Sequence, residues 1–190
     1  MASETSICNR ALQKLGAARI SSLTENSNNA RSCNACYEEL RDDELSKYAW
    51  SFAMERAELA ADAIAPDFGK QNSFTLPADF LRLITPYPEM DTNDRDWTIE
   101  GNKIYSNDSD PIQIRYIKRV TNVGDMNVYF REALAARIAM ELCEEITQSN
   151  TKKADLNASY SEAIKSARKT NAMQKVALES PLDSWITGRS

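Results

Sequence analysis

Between Asn127 and Thr147 the chain reads NVYFREALAARIAMELCEEIT, with Phe130, Leu134, Ile138, Leu142 and Ile146 at steps of four and Ala135, Ala139 and Cys143 beside them. Steps of four put these side chains on one face of a helix, and the small neighbours let other backbones approach closely. A face this broad has to be covered by further helices. Three other segments can supply the cover. SETSICNRALQKL carries Ile7, Cys8, Ala11, Leu12 and Leu15 on one side, with Ser3 or Thr5 able to cap its start and Gly16 able to supply a left-handed stop. After the linker AARISSLTENSNN, in which Ile20 and Leu23 can tie the loop to the core, Asn28 or Asn29 is the expected cap of a second helix reaching about Tyr48. That helix should present an acidic outer face of Glu38, Glu39, Asp42, Asp43 and Glu44, tempered by Arg41 and Lys47. From Thr151 to about Met173 a last helix turns Leu156, Tyr160, Ala163, Ile164 and Ala167 inward.

The middle of the chain changes period. In SKYAWSFAMERAEL, large side chains fall on every second position at Tyr48, Trp50, Phe52 and Met54, the pattern of a strand buried on one face. The alanine-rich stretch from Ala57 to Ala65 is read as a brief helical turn stopped by Pro66. Phe74 and Leu76 alternate as a short strand, Pro77 with Asp79 starts a turn, and Leu81, Leu83 and Ile84 return to the core. WTIEGNKIYS predicts a hairpin turning at Glu100-Gly101-Asn102, and PIQIRYIKRV a third strand with Ile112, Ile114, Tyr116 and Lys118 on one face and Gln113, Arg115 and Ile117 on the other. These strands are expected to form one small antiparallel sheet joined by the Tyr48–Met54 strand. The predicted class is therefore α+β, one domain over residues 1–190: a helical body from 1–48 and 127–175, a β-rich module over about 49–124, and a C-terminal arm over 177–190.

Composition narrows the chemistry. The 190 residues contain no histidine, which excludes Ser-His-Asp triads, Cys-His dyads and histidine metal sites, and the five glycines form no phosphate loop or dinucleotide fingerprint. Cys33 and Cys36 make a C-x-x-C inside a helical pattern, with Cys8 and Cys143 elsewhere; without a preceding strand or matched further ligands they are read as small core residues. No cofactor and no metal are expected. A net charge of −5 argues against binding nucleic acid by neutralising its phosphates. The charge is uneven, with 10 Lys and Arg against 17 Asp and Glu in residues 1–100, and 13 against 11 in residues 101–190, so copies of the chain could attract one another. The apolar runs are too short to span a bilayer, and MASETSICNRALQKLG has no basic region leading into an apolar core. The expectation is a chain made and kept in a cytoplasm, or packaged from one, without a membrane partner.

Acidic residues are the remaining candidates for chemistry. Glu144 with Glu145, or Asp42 with Asp43, could form a carboxylate pair of the glycoside-hydrolase kind, but helix positions of this type are ordinarily solvated faces. Glu141, Glu144 and Glu145 also crowd the C-terminal end of their helix, where the helix dipole disfavours negative charge. A cation should compensate there, either Lys152 or Lys153 of the same chain or a neighbouring subunit. Beyond Pro181 the segment ESPLDSWITGRS has too few apolar residues to fold alone, and is read either as an end without a role or as an arm whose Trp185 anchors a partner.

Three motifs in order resemble a known family. ICNRALQKLGAARISSL shows a helix ending in L-G followed by I-x-x-L, YAWSFAMERAEL a helix running into W-x-F, and TLPADFLRL an L-P-x-D-x-L turn. Together they are similar to the tail tubular protein A family, the head-to-tail adaptors of short-tailed bacteriophages. The resemblance rests mainly on residues 5–84. It implies a structural virion protein rather than an enzyme: a ring of about twelve copies at the head-to-tail junction, made in the host bacterial cytoplasm. Its partners would be the portal ring, the tail nozzle and itself, with DNA passing through an acidic channel without specific binding. Within that reading Trp50, Phe52, Leu76, Pro77 and Asp79 are scaffold residues. Glu141, Glu144, Glu145, Lys152 and Lys153 are candidates for the subunit interface, and Leu182, Trp185, Ile186 and Arg189 for an arm that docks on the portal. Two other classes stay open: a phage-associated cell-wall lytic enzyme using a carboxylate pair, and a monomeric virion assembly or interaction module.

Overall fold

A computed structural model of the chain describes residues 2–86, 97–108 and 110–174. The portal-docking candidates Leu182, Trp185, Ile186 and Arg189 lie outside the described residues. Among the described residues the fold is α+β in three layers: four helices, then one three-stranded sheet, then a second.

α1 (Glu4–Leu15) begins in a reciprocal cap, the Ser6 N–H donating to Ser3 Oγ at 3.1 Å and the Ser3 N–H to Ser6 Oγ at 2.9 Å. It stops at Gly16, whose φ of 75° is the left-handed conformation glycine adopts freely. The Ala17 N–H then donates to the Leu12 carbonyl and the Gly16 N–H to that of Gln13, closing a Schellman motif. Asn9 fixes the linker, its amide bonding both backbone groups of Ile20 at 2.8 Å, so that Ile20 is buried. α2 (Asn28–Lys47) is capped by Ser27, not by Asn28 or Asn29. Asn29 instead donates to the Ala18 carbonyl at 3.0 Å, holding the linker against the helix. α3 (Val128–Thr147), capped by Asn127, buries Phe130, Leu134, Ile138 and Leu142 with Ala135, Ala139 and Cys143 alongside. Its broad face makes it the hub on which α1, α2 and α4 (Asn150–Met173) all pack.

The aromatic stretch departs from its expected strand. Tyr48 caps α2, Trp50 is extended, Ser51–Ala53 form a 3-10 turn, and β1 (Met54–Leu59) begins only there. Burial explains the difference: Trp50 meets Tyr48 and Phe130 edge-on with ring centroids 5.5 and 5.1 Å away, and Phe52 meets Phe130 at 5.1 Å. Each such pair contributes about 0.5–1.5 kcal/mol beyond the area it buries. The Trp50 indole N–H also needs an acceptor in this dry site and finds the Glu44 carbonyl at 2.9 Å, which requires the chain to curl back under the end of α2. Nor does the alanine-rich stretch turn helical. Ala57 and Leu59 lie opposite Ile114 and Ile112 in a ladder, so tertiary pairing overrides alanine's helical preference.

Two sheets form where one was expected. β1 and β3 (Phe80–Pro86) flank β6 (Ile112–Lys118) in the first sheet, while β2 (Asn72–Thr75) and β4 (Thr98–Glu100) flank β5 (Lys103–Ser106) in the second, all antiparallel. The β4–β5 hairpin turns where its sequence indicates, with Gly101 at φ 60°. β6 is a wall with two faces. Ile112, Ile114 and Tyr116 meet Phe74, Leu76 and Ile104 in a small core between the sheets, while Ile117 enters the large helical core. Register shifts in β3 let Leu81 and Ile84 pack on the helical core and Phe80 and Leu83 on the other.

Candidate functional site

The residues that carry the second and third motifs lie at the seam between helices and sheets, while Leu15, Ile20 and Leu23 of the first belong to the helical core. Trp50 and Phe52 close over Phe130 at the start of α3, and the residue between them, Ser51, donates its N–H to Asn171 Oδ1 from the end of α4 at 2.8 Å. Leu76 is buried between the sheets, its N–H donating to the Asn102 carbonyl, and Pro77 leads into the turn before β3. Asp79 accepts the Tyr116 hydroxyl at 3.0 Å, and its carbonyl accepts the Arg119 N–H at 2.7 Å. Burial, with this hydrogen bond to a carboxylate, raises the Tyr116 phenol above its usual range, so it stays a donor. Arg119 in turn holds Asp42 of α2 at 2.6 Å, so one chain of contacts runs from the turn through β6 to the helical body. These contacts join the turn, the first sheet and the helical body.

The acidic end of α3 finds partners within the chain. Lys153 pairs with Glu144 at 2.8 Å, Glu141 with Arg137 at 2.8 Å, and Glu145 accepts the Ser32 hydroxyl of α2. Lys152 donates to the Leu15 carbonyl at 2.6 Å, capping the end of α1 rather than that of α3. The dipole penalty is met by Lys153, whose ammonium is shifted upward by its bond to Glu144. Of the other acids considered, Asp42 pairs with Arg41 and Arg119, and Asp43 with Lys47. Glu44 does not belong to the exposed face at all. It is 1% exposed, and one oxygen takes the Lys47 ammonium at 2.9 Å and the Tyr160 hydroxyl at 2.8 Å, locking α2 to α4. Sequence periodicity missed this role because the contact comes from another helix.

Asp62, which sequence did not single out, organises the far side of the second sheet. It accepts from Lys103 at 2.8 Å, Ser73 at 2.7 Å and Thr75 at 2.8 Å, and these bonds, led by the ammonium, hold its carboxyl down at about 2. A carboxylate so firmly ionised is a brace, not a general acid. The brace pins the loop after β1 across the outer sheet face, leaving a groove of about 520 Å³ between them, walled by Ile64, Pro66 and Phe68 and floored by Glu100, Lys103 and Tyr105. At its rim Phe68 is 90% and Ile64 83% exposed. A second exposed apolar pair, Val128 at 65% and Tyr129 at 48%, lies at the start of α3 beside a smaller depression of about 200 Å³.

All four cysteines are free, and burial pushes the Cys36 thiol up to about 12. Among the described residues no three Cys, Asp or Glu side chains are placed to hold a metal ion, and no helix is long and apolar enough to cross a membrane. Comparison with protein-family models and with curated proteins finds no match to the chain.

Proposed function

We propose that the chain is a structural protein of a phage particle, a head-to-tail adaptor that forms a ring of about twelve copies between the portal ring and the tail nozzle. The reading rests on the resemblance of its L-G/I-x-x-L, W-x-F and L-P-x-D-x-L motifs to the tail tubular protein A family. What supports it is the placement of the second and third motifs: Trp50, Phe52 and Asp79 lie on the seam joining helical body to sheets, where a repeated building block needs one fixed geometry. Polar side chains at that seam are engaged with one another, and the strongest carboxylate constellation, around Asp62, is a brace. In this reading DNA crosses the ring without specific contact, since a chain of net −5 offers few phosphate-neutralising groups.

Mass photometry of the purified chain, alone and mixed with the portal ring from the same genome, tests the proposal. A discrete increase of the portal mass by about twelve chains is the expected result. An unchanged portal mass across salt and concentration would remove it, and zymograms of the wild type beside Glu144→Gln and Glu145→Gln variants would then decide whether a cell-wall lytic activity takes its place.

A further inference from the structure

Among the described residues, four of the six large apolar side chains left exposed fall into two patches on different layers of the molecule. Ile64 and Phe68 stand on the loop after β1, on either side of Pro66, while Val128 and Tyr129 stand at the start of α3. Single exposed apolar side chains are ordinary on a monomer, whereas apolar side chains grouped into contiguous patches mark contact surfaces. The depression beside Val128 is lined by Ser6, Ile7, Arg10, Val128, Arg131 and Glu132. Its volume of about 200 Å³ lies below the roughly 300–1,000 Å³ of small-molecule sites, so it suits a single protruding side chain better than a cofactor or substrate.

Charge separates the two patches in the complementary sense. Asp67 sits between Ile64 and Phe68, exposed and without a hydrogen bond or ion pair among the described residues. At the depression, Glu132 is occupied by Arg10 and Lys14 at 3.0 and 2.7 Å. Arg131, on the same lining, has no side-chain partner among the described residues. One patch therefore offers an aromatic knob beside an unpaired acid, and the other an apolar seat beside an unpaired base.

We propose that the Ile64–Phe68 loop of one copy seats on the Val128–Tyr129 patch of the next, with Phe68 entering the depression and Asp67 pairing with Arg131. Because knob and seat are different surfaces of the same chain, the contact is heterologous and generates a ring when its rotation closes. The buried aromatic supplies most of the binding and the ion pair sets the register. This deepens the adaptor reading by naming the surfaces between neighbours, in place of the acidic end of α3, whose charges are already matched within one chain.

A charge exchange tests it on the full chain. Asp67→Arg, Arg131→Asp, the double variant and Phe68→Ser are compared by sedimentation across concentration, and by mass photometry on the portal ring. Each single charge reversal should weaken neighbour association by about tenfold or more, Phe68→Ser by at least as much, and the double variant should recover most of the loss. All three positions are at the surface, and circular dichroism confirms that each variant is folded before association is read. Rings that assemble on the portal regardless of the reversals would overturn the docking while leaving the adaptor reading intact. Self-association that follows the exchange while the portal is ignored would support the docking and remove the adaptor reading. A chain that associates with neither itself nor the portal overturns both.

Discussion

The helical body and the sheet module hold together by different means. Around α3 the body buries a continuous core that runs from Ile7 and Leu12 through Trp50, Phe130, Leu134 and Ile138 to Leu156 and Ile164. Between the two sheets, the fully buried set is Phe74, Leu76, Ile104, Ile112, Ile114 and Tyr116. So small a core leaves the module leaning on polar braces at its margins: Asp62 with Lys103, Ser73 and Thr75, Tyr116 with Asp79, and Lys118 with Glu55. Apolar burial scales with the size of the packed set, whereas exposed ion pairs contribute little each. The body should therefore set the global stability, and the module should open first.

The strongest attack on that contrast is Trp50→Ala, which removes the ring bridging Tyr48, Phe52 and Phe130 together with the bond to the Glu44 carbonyl. A loss of about 3–5 kcal/mol is expected in urea unfolding followed by far-ultraviolet circular dichroism. Next comes Ile114→Ala at the centre of β6, with an expected loss of about 2–3 kcal/mol. Here hydrogen exchange should show deprotection in residues 54–86 and 98–118 while α3 stays protected; simultaneous loss of protection in α3 would mean that the two cores unfold as one. A smaller effect is expected from acid. The Asp62 carboxyl titrates at about 2 when folded and near 3.9 when unfolded, so its contribution is present above about pH 4 and disappears as pH falls towards 2. Asp62→Asn should flatten that part of the module's pH profile and cost about 1 kcal/mol at neutral pH, allowing for solvent screening. Ser3→Ala, at the outer end of α1, closes the series at about 0.5–1 kcal/mol, measurable as a small shift in melting temperature.

The same contrast governs how much of the fold could be read in advance. Helical stripes are local, and α1, α3 and α4 appear where their periodicity placed them, as does the glycine stop at Gly16. The hairpin at Gly101 is equally local. What failed depended on partners distant in sequence. Alternating rings at Tyr48, Trp50 and Phe52 carry the period of a strand, yet Phe130, far along the chain, draws them into a 3-10 turn. Glu44 looks solvated by periodicity alone, yet Tyr160 of α4 donates to its carboxylate and the Trp50 indole N–H to its carbonyl, and it is buried. Strand periodicity cannot say which strand pairs with which, so one expected sheet became two. At the candidate surfaces, Val128 and Phe68 gave no periodic signal, because a side chain left exposed obeys no pattern within its own chain.

β6 carries a consequence for folding fidelity. Its alternate residues feed different cores, Tyr116 the one between the sheets and Ile117 the one under the helices. A slip of one residue against β1 would reverse every side chain on the strand, sending a phenol into the helical core and an aliphatic chain towards Asp79. Both cores would reject the error at once. The strand thus works as a two-sided proofreading gauge that fixes one angle between body and module.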